Sequence, residues 1–207
     1  SLHWLAGAAA RRTAPRGPSH CWIPTVDAPQ DSLLPRVADD LQPILDQSGI
    51  GLSVTAEMPQ ALEGAELAIV AAHGGLAAFE GRFFRGVADE AERVMGADRL
   101  AHGLAGAKVA ILFVCNGARL DMEPGAQATL GLARQLLDRG CSAVIGSPWP
   151  LRGDVPSRWL PAFLEAWDQD LPVADANSFA NEAVGGIADI RHALHVYGDP
   201  LVRRSGG

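Results

Sequence analysis

Two stretches decide the fold: LAIVAAHGG, Leu67–Gly75, and KVAILFVCNGA, Lys108–Ala118. Each is an unbroken apolar run that stops on a polar side chain beside glycine. The first stops on His73, followed by Gly74 and Gly75; the second stops on Cys115, with Gly117 two residues on. Apolar runs without polar alternation mark strands buried on both faces of a parallel sheet. In open parallel sheets, ligands bind at the carboxyl ends of the strands. Neighbouring strands lie ~4.8 Å apart, so adjacent strands of this kind hold the imidazole and the thiol over one crevice. Glycine there lets the backbone turn sharply and leaves amides open to a ligand. A thiol, an imidazole and exposed backbone donors are the parts of an acyl-transfer site. Taken singly, a strand-end histidine is more often a hydrogen-bonded structural residue, and a buried cysteine a small hydrophobe. Their joint occurrence, each after a buried run and each beside glycine, points to chemistry.

Around these two runs the pattern alternates. HCWIPTV, His20–Val26, and IGLSVTA, Ile50–Ala56, read as strands, as does CSAVIGS, Cys141–Ser147. ALHVYGDPLVR, Ala193–Arg203, reads as the end of the sheet. Between them, 31–49 carries Val37, Leu41, Ile44 and Leu45 at helical spacing, with Gly49 as its stop. Pro35 and Pro43 interrupt its regularity. The spacing predicts further helices over 125–140, through Leu130, Ala133 and Leu137, over 156–167, and over 172–184. The stretch Phe79–Arg99 reads as a loop with Gly81 and Gly86 as pivots. The expectation is an α/β layered sandwich, its central sheet mostly parallel, with helices on both faces.

Composition narrows the function. The chain has 207 residues, 48% of them hydrophobic, enough for one domain with a sizeable core. Acidic residues outnumber basic ones by 24 to 17, for a net charge of −7, which argues against a nucleic-acid binder. No apolar run approaches a membrane span. Cys21, Cys115 and Cys141 form no CxxC pair and no zinc-spaced cluster, so neither metal nor cofactor is expected. Sparse cysteines read as a reduced, cytoplasmic setting. The start, SLHWLAGAAARRTAPRGP, reads as a linker or truncated flanking segment over 1–18, with the domain proper over 19–207.

At this point four segments carry a resemblance. AAHGG (Ala71–Gly75), LFVCNGA (Leu112–Ala118), LLDRGCSAVIGSPWPLRGD (Leu136–Asp154) and HVYGDPLVR (His195–Arg203) together resemble the CHAT domain, a branch of the caspase and separase class of cysteine peptidases. The resemblance implies a caspase-like fold and a catalytic dyad, with His73 as general base and Cys115 as nucleophile. It implies an oxyanion hole from the backbone amides of Gly74 and Cys115. It also implies a protein substrate and regulation by a flanking module or partner, with the isolated chain weakly active or latent. Many members read Ala-Cys-Glu-Thr-Gly around the nucleophile, where this chain has Val114-Cys115-Asn116-Gly117.

Two rival readings stand beside this one. One is an inactive α/β module that binds a ligand or protein without chemistry. The other is a redox protein, which needs Cys21 or Cys141 folded near Cys115 as a resolving thiol. For substrate recognition, SPWPLRGDVP, Ser147–Pro156, follows a buried strand and belongs at the same sheet edge as Cys115. Trp149 is expected to wall the pocket. Asp154 either pairs with a basic substrate side chain or caps the following helix.

Overall fold

Alternating buried strands and amphipathic helices give, in the computed structural model, one sheet clad on both faces. The structure describes residues 17–29, 31–79, 82–89, 91, 93–117, 121–122, 129–185 and 194–204. The linker reading of the N-terminal segment falls, up to residue 16, outside them. The described strands are β1 (His20–Trp22), β2 (Gly51–Ser53), β3 (Leu67–Phe79), β4 (Arg82–Ala88), β5 (Val94–Gly96), β6 (Val109–Val114), β7 (Asp121–Met122), β8 (Thr129–Leu130), β9 (Ala143–Gly146) and β10 (His195–Gly198). The helices are α1 (Leu33–Gln47), α2 (Ala97–Gly103), α3 (Leu132–Asp138), α4 (Val155–Asp168) and α5 (Val173–Ala183).

The main sheet runs β10-β9-β6-β3-β1-β2. All neighbours along it are parallel except β10, which runs antiparallel to β9. The period of two along each strand sorts side chains into two cores. Leu67, Ile69 and Ala71 of β3 join Val109, Ile111 and Phe113 of β6 beneath α1, α4 and α5. The alternate residues, Ala68, Val70 and Ala72 with Ala110, Leu112 and Val114, pack beneath α2 and α3. On α4, Trp159 meets Phe113 edge-on at 5.7 Å and stacks on Phe163 at 4.8 Å, which stacks on Trp167 at 5.8 Å. That row of rings anchors α4 along β6. Truncating such a ring to alanine costs ~3–5 kcal/mol. Gly49 follows α1 at φ +66° and Gly140 follows α3 at φ +96°, the left-handed stops that end helices.

Two expectations are corrected. The stretch Phe79–Arg99 is not a loop. β3 continues to Phe79, turns back as β4, and β4 pairs with β5 before α2 begins. Gly86, expected as a pivot, sits in register instead, opposite Gly75 of β3 and Gly96 of β5, while Gly81 lies outside the described residues. Across antiparallel strands glycine need not mark a bend. The helix expected over 125–140 begins only at Leu132, because Gly131 is extended at φ −151° and Thr129–Leu130 is a strand pairing β7. Positions 125–128 lie outside the described residues. β1, β2 and β10 are also shorter than their sequence runs; Pro24 follows β1 closely and limits its ladder.

Candidate active site

The last pair of the β3–β6 ladder is Ala72 opposite Val114. His73 and Cys115 are the next residues along the chain, His73 still within β3 and Cys115 just past β6. They share the parity of Ala71 and Phe113 and so fall on the α1 side of the sheet. Both are half-buried. His73 is not a strand terminus, as the sequence implied; it is the residue at which β3 leaves β6 and takes up β4, opposite Ala88. The strand changes partners at the histidine.

Cys115 opens a tight turn. The Gly117 amide donates to the Val114 carbonyl at 3.0 Å, and Asn116 sits in the left-handed region at φ +56°. Asparagine tolerates that conformation better than most side chains. The turn is tied to the segment after β9: the Asn116 amide donates to the Trp149 carbonyl at 3.1 Å, and the Leu151 amide donates to Cys115 Sγ at 3.4 Å. The sulfur is thus held from a second chain segment. Gly74 is needed for the approach of the two strands. A Cβ built on it would collide with the Cys115 carbonyl oxygen and with Val114 Cγ1. Gly117 is tight for the same reason, with Val114 O 3.0 Å from a Cβ placed there.

His73 and Cys115 line one cavity of about 40 Å³, together with Leu33 and Val37 of α1 and with Leu151 and Gly153. A larger cleft of about 280 Å³ lies by Trp22, Val87, Asp89 and Arg93. It holds neither the thiol nor the imidazole, so chemistry rather than volume selects the small one.

Trp149 and Asp154 lie outside the lining of the small cavity. The Trp149 side chain is 46% exposed, and its backbone carbonyl is what braces the turn. Asp154 occupies the N-cap position of α4 without a side-chain capping bond. Its carboxylate accepts from Arg152 Nε at 2.9 Å and Nη2 at 2.8 Å, with Arg158 at 3.6 Å. Burial pushes its pKa up, but the two guanidiniums outweigh that and hold it below the usual carboxylate range. Arg152 and Gly153 come from the expected Ser147–Pro156 segment, but sequence reasoning missed Leu33. Leu33 is the first residue of α1, more than a hundred positions from Arg152 and Gly153, and no local pattern links them.

The other cysteines are remote from this chemistry. Cys21 is fully buried in β1, and burial pushes its thiol far up. Cys141 is buried in the opposite core and donates to the Leu104 carbonyl at 3.3 Å; burial pushes it to about 12. Neither lines the cavity, so the resolving thiol of the redox reading is missing.

The family comparison matches the CHAT domain over residues 46–184. This chain belongs to the CHAT domain family. No curated protein matches it in sequence. Among solved structures, separase in the Saccharomyces cerevisiae separase–securin complex is similar at TM-score 0.59 and 18% identity, over 89% of this chain and 12% of that one. The Arg-specific cysteine proteinase gingipain R is similar at TM-score 0.57 and 14% identity, over 98% of this chain and 53% of that one. At such identities the likeness is one of fold: the CHAT domain here has the caspase-like cysteine peptidase architecture. The chain spans about an eighth of the separase chain and about half of gingipain's.

Proposed function

We propose that this CHAT domain is a cysteine endopeptidase with Cys115 as nucleophile and His73 as general base. One observation carries the reading: His73 and Cys115 are the first residues beyond the last ladder pair of β3 and β6, share a face, and line one cavity. A thiol attacks poorly until it loses its proton. In the proposed reaction His73 takes the Sγ proton and sulfur attacks the scissile carbonyl, forming a C–S bond while the carbonyl π pair moves onto oxygen. The amides of Gly74 and Cys115 are the proposed donors to that oxygen. As the intermediate collapses, the C–N bond breaks and the amine leaves with the proton from His73. Water, with His73 again as base, then cleaves the thioester. The Leu151 amide keeps the sulfur facing the cavity.

A protein chain is the proposed substrate, and a flanking module or partner the proposed control. Separase, whose fold this chain resembles, was crystallised with securin, which supports the expectation that a bound protein governs the site. The test is peptide-library cleavage by the full chain, with any required partner present. Cys115→Ala should abolish cleavage, and His73→Ala should lower it by ~10²–10⁴-fold. Wild-type cleavage by the Cys115→Ala protein would refute the assignment.

A further inference from the structure

The walls of the cavity beside the thiol bear on which side chain a substrate presents there. The following rests on the peptidase reading of the dyad. Leu33, Val37, Phe113, Leu151 and Pro156 make the cavity walls hydrocarbon, and no carboxylate lines it among the described residues. Among the described residues the one cationic side chain that reaches it, Arg152, is already bidentate on Asp154. Asp154 faces a second cation, Arg158. A lysine or arginine entering here would meet two guanidiniums around that carboxylate and shed its water against leucine and phenylalanine. An acidic side chain would have to share Arg152 with Asp154, and either charge would give up its water to hydrocarbon walls, which is costly.

Size adds a second condition. At ~10–15 Å³ of cavity per water held, about 40 Å³ is room for about three waters, the bulk of a short aliphatic group rather than of a ring or a long arm. Leu33 sets this limit. Its Cδ1 lies over Gly153 so closely that a Cβ there would stand 2.6 Å away. Leu33 is nonetheless 43% exposed at the start of α1, so it closes the pocket without supporting the core.

We infer that this cavity receives the substrate side chain preceding the scissile bond, that it takes a short aliphatic residue such as alanine or valine in preference to a charged one, and that Leu33 is the size-determining residue. The test uses the full chain and a series of peptidyl acyloxymethyl ketones that differ only in the residue next to the ketone: Ala, Val, Phe, Arg or Asp. The Cys115 thiolate attacks the methylene carbon. The C–S bond forms as the C–O bond breaks, and the carboxylate leaves with the bonding pair. Mass spectrometry reads the labelling rate at Cys115. The Ala and Val probes should label faster than Arg, Asp and Phe by ~10-fold or more, the discrimination such a pocket achieves. In Leu33→Ala the Phe-to-Ala rate ratio should rise by ~10-fold. An Arg or Asp probe as fast as the Ala probe would overturn the inference, and so would an unchanged Phe-to-Ala ratio in a folded Leu33→Ala protein. This selectivity in a protein that cleaves no peptide would sink the peptidase reading and uphold the pocket.

Discussion

Replacing Gly74 by alanine tests whether the meeting of β3 with the Cys115 turn is functional or merely compact. The added Cβ would stand more than an ångström inside ordinary van der Waals contact with the Cys115 carbonyl oxygen, and it would also press on Val114 Cγ1. The obstacle is backbone, which cannot swing aside as a side-chain tip does. Either β3 lifts or the turn bearing Cys115 moves. Overpacking of this kind costs ~1–3 kcal/mol. For a domain of this size that is ~2–12 °C in Tm, at ~2–4 °C per kcal/mol. A displacement of ~1 Å at the reacting centre costs ~10²-fold in rate. Gly64→Ala is the matched control: Gly64 sits at φ +65° with open space around it, so alanine strains it by ~1–2 kcal/mol and touches nothing near the thiol. The assay pairs thermal unfolding with the labelling rate at Cys115. Gly74→Ala should lose rate far beyond its stability loss, and Gly64→Ala should lose stability alone. Equal labelling rates in two folded variants would refute the argument that Gly74 sets the geometry of the nucleophile.

Other consequences are checkable in the same way. Asn116→Gly should keep Cys115 reactive, because glycine adopts the left-handed conformation freely, whereas Asn116→Val should slow labelling by ~10-fold or more while the fold persists. Glu66, 4% exposed, accepts from Trp167 Nε1 at 3.1 Å and faces Arg204 Nε at 3.3 Å. Arg204 keeps Asp168 as a partner, so Glu66→Ala should cost ~1–3 kcal/mol for the orphaned Trp167 N–H, seen as a lower urea midpoint, with labelling of Cys115 unchanged because Glu66 precedes the opposite end of β3. His20 bonds Ser53 Oγ at 2.8 Å, and burial lowers its pKa, so the fold favours the neutral ring. That stability is complete above the ordinary value of ~6.5 and is lost as pH falls through the lowered one. His20→Gln should flatten the decline of Tm as pH falls below about 6.5, and an unchanged profile would dismiss the role.

Much of the site was legible because it lies on the two most regular segments. The odd-numbered apolar residues of Leu67–Ala71 and Val109–Phe113 fix which face His73 and Cys115 share, and burial on both faces fixes a parallel sheet. The glycines beside them carried a steric message that the coordinates made specific at Gly74. The hairpin of β3 and β4 was hidden because glycine reads locally as a turn, while its pairing with glycine across strands depends on a partner ten or so residues away. The start of α3 was hidden because Leu130 continues a helical spacing that Gly131 interrupts. Leu33 was hidden for a different reason. It reaches the cavity from a helix start, and its meeting with the Ser147–Pro156 segment is set by how α1 lies across the sheet.

A histidine set inside a continuous strand has no joint of its own. β3 runs unbroken from Leu67 through His73 to Phe79, so beyond the parallel sheet its last six residues, at ~3.4 Å each, form a stiff arm of ~20 Å. Paired to β4, that arm is a handle rooted at the general base of the proposed dyad. A load applied near its tip acts on the peptide planes flanking the imidazole as torque, right where Gly74 packs on the turn that carries Cys115.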